Sequence, residues 1–428
     1  MKRIRILALV LCACFVSAAW GQEQTTPPVL KHPTSHYRPA NRTANYFVPS
    51  NSYSTEQANS SQGKLWELGA YPGGTWAGLS GINDFNVAVG VGDVPPDGST
   101  HPLAVPLSGP HAGMWIDLGA LGGTASGPEE PLTRISNTGV IVGHSRTPSG
   151  YVHGFVWTQT SGMADLGTLA DIGYSAYNSS YAAGVNELGT LIVGWSGIEQ
   201  SCLDCAPGLP VVWTPSMEWK HGAWITTWKI HKLETTGFDD LARWYAWGVN
   251  DLGQIIAVAW RNDYTLEVPI LWNPRPDGKG WRVTSLPVST DYPFYLPFGI
   301  NDRGEITGAA QSEDSSVWLP KFWKPRDPQR KSYSMPIALA MPDGFSGGYA
   351  DGINELGDMT GECWGEAGDQ AVRWTTKNPT FSQVLGFPGD WSWSFSVNNS
   401  RIAAATYSGG DKCPADTYGS CGGAIQFH

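Results

Sequence analysis

Short apolar runs recur along the chain, each four to eight residues long and bounded by Asn, Gly and Pro, and this pattern predicts strands rather than helices. One phrase repeats roughly every 50 residues: a small or apolar pair, then Asn, two variable residues, often Gly, then a new apolar run. It occurs seven times, as Gly81-Ile82-Asn83, Ile135-Ser136-Asn137, Gly184-Val185-Asn186, Gly248-Val249-Asn250, Gly299-Ile300-Asn301, Gly352-Ile353-Asn354 and Ser396-Val397-Asn398. Apolar runs such as Val140-Ile141-Val142-Gly143 and Leu191-Ile192-Val193-Gly194 resume at once after the turn.

Each copy has a physical reading. Asn initiates a turn by bonding its side chain to nearby backbone, and the following Gly (Gly139, Gly189, Gly253, Gly304, Gly357) supplies the positive φ of a tight hairpin. Strands a and b therefore flank every Asn. Strand c is marked by Trp115, Trp157, Trp213, Trp272, Trp323 and Trp374, and strand d is clearest in Ile116-Asp117-Leu118-Gly119 and Ala164-Asp165-Leu166-Gly167. Four strands in about 50 residues is the size of a propeller blade. The first strand, Leu65 to Gly69, reads as a d strand without partners, and the last, Ala424 to His428, as a c strand without a d. Residues 64–428 are thus expected to form an all-β, seven-bladed β-propeller with four antiparallel strands per blade. The N-terminal strand d closes it by pairing with the C-terminal strand c. Inserts are expected between strands b and c at 92–110, 197–208 and 408–421, and another after Trp213 carries Trp219, Trp224 and Trp228.

The Asp-Leu-Gly, Gly-Ile-Asn and strand-c Trp landmarks resemble the extracellular HAF repeat family, over almost all of residues 64–428. The segment that names the family is kept only in part, at His111-Ala112-Gly113 and His153-Gly154-Phe155. The resemblance implies an exported, propeller-like repeat protein and no particular reaction.

Composition adds an address. Lys2, Arg3 and Arg5 precede a short apolar core, Ile6 to Val16, and Ala19-Trp20-Gly21 is a fitting signal-peptidase site, so residues 1–21 are expected to be removed. Leu11-Cys12-Ala13-Cys14 loosely resembles a lipobox, which offers lipid anchoring at Cys14 as an alternative. Residues 22–63, rich in Pro, Ser, Thr, Asn and Gln, read as a flexible leader. The product is expected outside the cell or in the periplasm, as a monomer. No later apolar run is long enough for a spanning helix, so membrane insertion is not expected. Formal charge is −11 for the whole chain and more negative without the basic N-terminus, which disfavours nucleic acid as a partner. Outside the signal segment lie Cys202, Cys205, Cys363, Cys413 and Cys421. Cys202–Cys205 and Cys413–Cys421 could close local disulfides, or each could be half of a zinc site, and Cys363 sits in an apolar strand. No cofactor or metal is expected.

Candidate chemistry lies in the loops that join strand d of one blade to strand a of the next, around the mouth of the axis. Trp76, Tyr181, Trp244, Tyr245, Tyr295, Tyr349, Trp391 and Trp393 make this face aromatic, and Asp240 and Asp291 add acceptors. Flat rings with neighbouring carboxylates suit a glycan or a peptide. The same aromatics suit packing between blades, because positions two apart share one strand face. A protein-interaction scaffold is the alternative function. A polysaccharide-active enzyme is the less favoured one, since Glu129-Glu130 and Asp239-Asp240 are adjacent residues pointing to opposite faces, and no catalytic residue is assigned.

Overall fold

The computed structural model describes residues 57–428, apart from 61–62, 97, 124–132, 199–207, 221–222, 262–266, 291, 293, 312–316, 410–411 and 414–419. The expected signal segment, nearly all of the expected leader, Glu129, Glu130, Cys202, Cys205 and Asp291 lie outside the described residues.

The chain is an all-β propeller of four-stranded antiparallel blades. In the fourth repeat, strand a (Leu241–Val249) pairs with b (Ile255–Arg261), b with c (Glu267–Pro274) and c with d (Trp281–Ser285). The first, second, third and fifth repeats are built in the same order. The expected count of seven separate blades is corrected, because five stand apart as four-stranded sheets. The remaining strands form one nine-stranded sheet. Eight of its strands make up the sixth and seventh repeats, and a single parallel bridge, Asp369 to Trp391, joins the two groups. The N-terminal strand Gly63–Gly69 pairs with the C-terminal strand Cys421–Gln426, with Leu65 opposite Ile425, so both chain ends share one sheet. A further strand, Gln57–Ser60, lies inside the stretch expected to be a leader and pairs with Gly63–Gly69.

Three repeated contacts hold the ring together, two between neighbouring units and one within each. In the first, a buried indole reaches back one repeat: Trp115, Trp213, Trp272, Trp323 and Trp374 donate to the carbonyls of Leu68, Leu166, Glu234, Pro287 and Ala340, over 2.6–3.2 Å. These carbonyls lie at or just past strand d of the preceding repeat. In the second, a buried leucine seals strand d against strand c through its N–H. Leu118 donates to Pro102, Leu233 to Pro210, Leu286 to Pro269, Leu339 to Pro320 and Leu385 to Ala371.

Two strand-c expectations are corrected here. In the first repeat the strand is Ser99–Pro106, inside the expected insert, and Trp115 lies beyond it. The partial HAF segment at His111 is likewise displaced. His101 is the counterpart of His153, since His101 Nδ1 bonds Asp117 at 2.8 Å and His153 Nδ1 bonds Asp165 at 2.7 Å. In the third repeat, strands Gly208–Lys220 and Ala223–Lys232 extend into a long hairpin, where Trp219 faces Trp224 across the strands.

The third contact is a hydrogen-bond circuit through the a–b turns. Asn250 Nδ2 donates to the Asn301 carbonyl at 2.9 Å, Asn301 to Asn354 at 3.0 Å, Asn354 to Asn398 at 2.9 Å, and Asn398 to Asn83 at 2.9 Å. From Asn83 the circuit passes to the Ser136 carbonyl, then from Asn137 to Glu187, and from Asn186 to Asp251. Ser136, not Asn137, holds the turn position of the second repeat: its Oγ accepts the Val140 N–H, as Asn83 Oδ1 accepts that of Val87. Each turn asparagine thus satisfies its own turn with Oδ1 and the next repeat with Nδ2, and all six are buried, whereas Asn137 accepts the Asp84 N–H of the preceding repeat instead. Asn301→Ala removes both sets of bonds and leaves the buried Glu305 N–H unpaired. It should cost about 1–3 kcal/mol in urea unfolding, and a loss below about 0.5 kcal/mol, the usual range for a surface substitution, would remove the circuit from the stability argument.

Candidate functional site

Strands a line the axis, and their crowding sets what the axis can hold. Two positions before the turn asparagine the residue is Gly in five repeats. A Cβ on Gly299 would lie 2.6 Å from the Asp351 carbonyl, and one on Gly352 2.8 Å from Ser396 Cα. The second repeat places Arg134 at this point instead, and its guanidinium donates to the carbonyls of Ser80 at 2.9 Å and Thr133 at 3.3 Å. One position earlier stand Trp247, Phe298, Asp351 and Phe395. Together these residues line a cavity of about 160 Å³ to which all seven repeats contribute.

At the hairpin end of the axis is a belt that the repeat phrase concealed. The residue following each turn position, read as variable, is Asp84, Asn137, Glu187, Asp251, Asp302, Glu355 or Asn399. Their side chains accept N–H groups from the preceding repeat: Asp302 accepts from Asp251, Glu355 from Asp302, Asn399 from Glu355 and Asp84 from Asn399, over 2.8–2.9 Å. The sequence signal was available, because this position carries a carboxylate or its amide in every repeat. Burial, followed by the neighbouring carboxylates Asp84, Glu355, Asp251 and Asp302, pushes Glu187 up to about 8. Asp251, Asp302 and Glu355 are also raised, chiefly by burial.

The aromatic residues expected around the other end of the axis divide into two groups. Tyr181, Trp244, Tyr245, Tyr295 and Tyr349 are buried. Tyr181 stacks on Trp195 with centroids 5.0 Å apart, and Trp195 meets Tyr245 of the next repeat at 5.0 Å. Trp244 packs on Trp272 and Tyr295 on Trp323, each against the strand-c tryptophan of its own repeat. Tyr349 meets Phe298, Trp318 and Trp364. Trp76, Trp391 and Trp393 are only half-buried. Trp391 and Trp393 are 4.9 Å apart, and Trp393 is 6.5 Å from Phe395, so three rings descend one strand towards the cavity. The indole N–H groups of Trp393 and Trp247 have no hydrogen-bond partner among the described residues. Asp240 is exposed and paired with Arg261 at 3.1 Å.

Two acids of strands a and c are shifted by their surroundings. Asp351 is pushed up to about 7 by burial, against the opposing pull of Arg134, and Glu267 to about 8 by burial. Cys413 and Cys421 form a disulfide, and Cys363 is a buried free thiol held protonated by burial. Among the described residues no group of His, Cys, Asp and Glu is arranged to hold a metal ion.

The raised Glu187 gives a signed pH dependence. Its unfolded form ionises near 4.5 and its folded form near 8, so its stabilisation is complete below pH 4.5 and is lost as pH rises to about 8. Glu187→Gln should therefore flatten the fall in thermal midpoint across that window relative to the parent protein. Parallel curves would contradict the assignment.

No family model matches the chain, and no curated relative is found for it. Among solved structures it is similar to the β-propeller domain of the Trilobed protease from Pyrococcus furiosus, at 10% identity and a TM-score of 0.47, covering 78% of this chain and 90% of that one. It is also similar to an acylaminoacyl peptidase from Pyrococcus horikoshii, at 10% identity and a TM-score of 0.47, covering 78% of this chain and 50% of that one. The chain thus spans about half the length of that peptidase. A lectin from Burkholderia pseudomallei is similar at 10% identity and a TM-score of 0.40, covering 79% of this chain and 94% of that one.

Proposed function

We propose that this protein is an exported binding module that takes a glycan on the aromatic ladder Trp391–Trp393–Phe395. The observation that carries the reading is the contrast between strands. At the same strand position, Tyr181, Tyr245 and Tyr349 are consumed by packing, whereas Trp393 keeps a half-buried face. Stacked indoles offer apolar area to a sugar ring at little entropic cost. Export is supported by the basic and apolar N-terminal segment and by the Cys413–Cys421 disulfide, since disulfides persist in oxidising compartments. Among the described residues no helix is long and apolar enough to cross a membrane. We further infer a sevenfold ring, with the nine-stranded sheet counted as two blades. The single bridge between its halves and the circuit through seven turns support this.

Titrating intrinsic tryptophan fluorescence of residues 22–428 with soluble polysaccharides tests the binding reading. One glycan class should give a saturable shift. Trp391→Ala or Trp393→Ala should weaken it about tenfold, or ~1.4 kcal/mol, with the thermal midpoint little changed. Silence from the folded protein across the whole panel, together with a stable protein partner in a pull-down, would favour the scaffold reading instead.

A further inference from the structure

Strands c and d of the first repeat carry a cluster that takes no part in the ladder or the axial cavity. Ser99 and His101 are alternate residues of strand Ser99–Pro106, so they share one face of the sheet. Strand d (Ile116–Asp117) places Asp117 across from Leu103, which makes it the diagonal neighbour of His101 on that same face. The side chains bond in series: Ser99 Oγ lies 3.1 Å from His101 Nε2, and His101 Nδ1 lies 2.8 Å from Asp117 Oδ1. The Gly119 N–H also donates to Asp117 Oδ1, at 2.8 Å. Burial raises the Asp117 carboxyl, but the bonds from His101 and Gly119 outweigh it and hold the group below its ordinary value. An ionised carboxylate only accepts, so the imidazole proton bound to it sits on Nδ1. Nε2 of the neutral ring then carries a lone pair, and the Ser99 hydroxyl is the donor to it.

A serine bonded to a neutral imidazole, itself oriented by a carboxylate, is the arrangement that activates a hydroxyl as a nucleophile. The second repeat supplies an internal comparison. There His153 Nδ1 bonds Asp165, and the Gly167 N–H donates to that carboxylate at 2.7 Å, but Tyr151 takes the place of Ser99. The His–Asp pair is thus a feature shared by two repeats, and the first adds an alcohol to it. We propose that Ser99, His101 and Asp117 form a nucleophilic triad that transfers the acyl group of a carboxylic ester to water. Ser99 Oγ attacks the ester carbonyl carbon as its proton passes to His101 Nε2. The bond from that carbon to the alcohol oxygen breaks, and the alcohol leaves with the proton from His101. Water then attacks the acyl-serine and gives a proton to His101, which returns it to Ser99 Oγ as the carboxylic acid departs. Asp117 is a positioning residue that holds the ring in the accepting tautomer. The His101 and Asp117 side chains are 20% and 29% exposed, and Pro95, Pro96 and Gly98 of the adjoining turn are exposed. The site therefore suits an ester presented from solvent, such as an O-acyl group on a larger molecule. It needs neither Trp391 nor Trp393 and stands apart from the glycan reading.

The test is acylation of the whole exported chain by p-nitrophenyl acetate and labelling by a fluorophosphonate, with the modified peptide located by mass spectrometry. Both reagents should modify Ser99, and the acetyl-serine should decay back to the free hydroxyl. Ser99→Ala should abolish the modification. His101→Ala and Asp117→Asn should each slow it at least about tenfold, with thermal midpoints little changed, whereas His153→Ala should leave the rate as it is. Added imidazole should restore part of the rate to His101→Ala, which a merely structural role would not predict. Nitrogen NMR shifts should place the neutral-ring proton of His101 on Nδ1 in the parent and partly on Nε2 in Asp117→Asn. No modification of Ser99, an unchanged rate in His101→Ala, or equal modification of other exposed serines would each overturn the proposal. That failure would leave the ladder reading standing, because the two sites share no residue.

Discussion

The structure depends on one bifunctional side chain used repeatedly. In most repeats an asparagine at the a–b turn accepts the N–H that makes its own hairpin and donates to the carbonyl of the next repeat's turn. Local turn chemistry and long-range closure are therefore the same interaction. The circuit runs from Asn398 back to Asn83, 315 residues apart in sequence, so the last turn is held by the first. The sheet shared by Gly63–Gly69 and Cys421–Gln426 closes the outer part of the same ring.

Bringing the turns that close has consequences along the axis. Strands a approach until most can carry only glycine beside their neighbours, and the residues after the turn are pressed into a belt. That belt concentrates five carboxylates where burial already disfavours ionisation, which is why Glu187 rises furthest. One position higher the crowding relaxes enough for Trp247, Phe298, Asp351 and Phe395. Any function at the axis is thus built from positions the closure leaves free.

Much of the architecture was legible in the sequence because each recurring residue performs one physical task. The Asn-to-Gly turns, the strand-c indoles and the mismatched chain ends led to the propeller and to the pairing of its termini. The register of the second repeat was misread, because Ser136 can replace Asn as a turn acceptor while Asn137 occupies the belt beside it. His101 was missed because the proline at 102 broke the expected motif, although Pro recurs at the equivalent place in Pro210, Pro269 and Pro320. Periodicity also could not say which aromatics are consumed by packing. Tyr349 and Trp393 occupy one position of the repeat, and only their neighbours distinguish them: Trp318 and Trp364 for the first, the half-open Trp391 for the second.

Native-state hydrogen exchange at the belt amides of Asp84, Asp251, Asp302, Glu355 and Asn399 tests the central claim most directly. A closed circuit predicts that these amides open together, with one shared free energy close to that of global unfolding. Faster exchange confined to Asn399 and Asp84, with the other amides protected, would show that the junction between the first and last turns is a seam and would contradict the account.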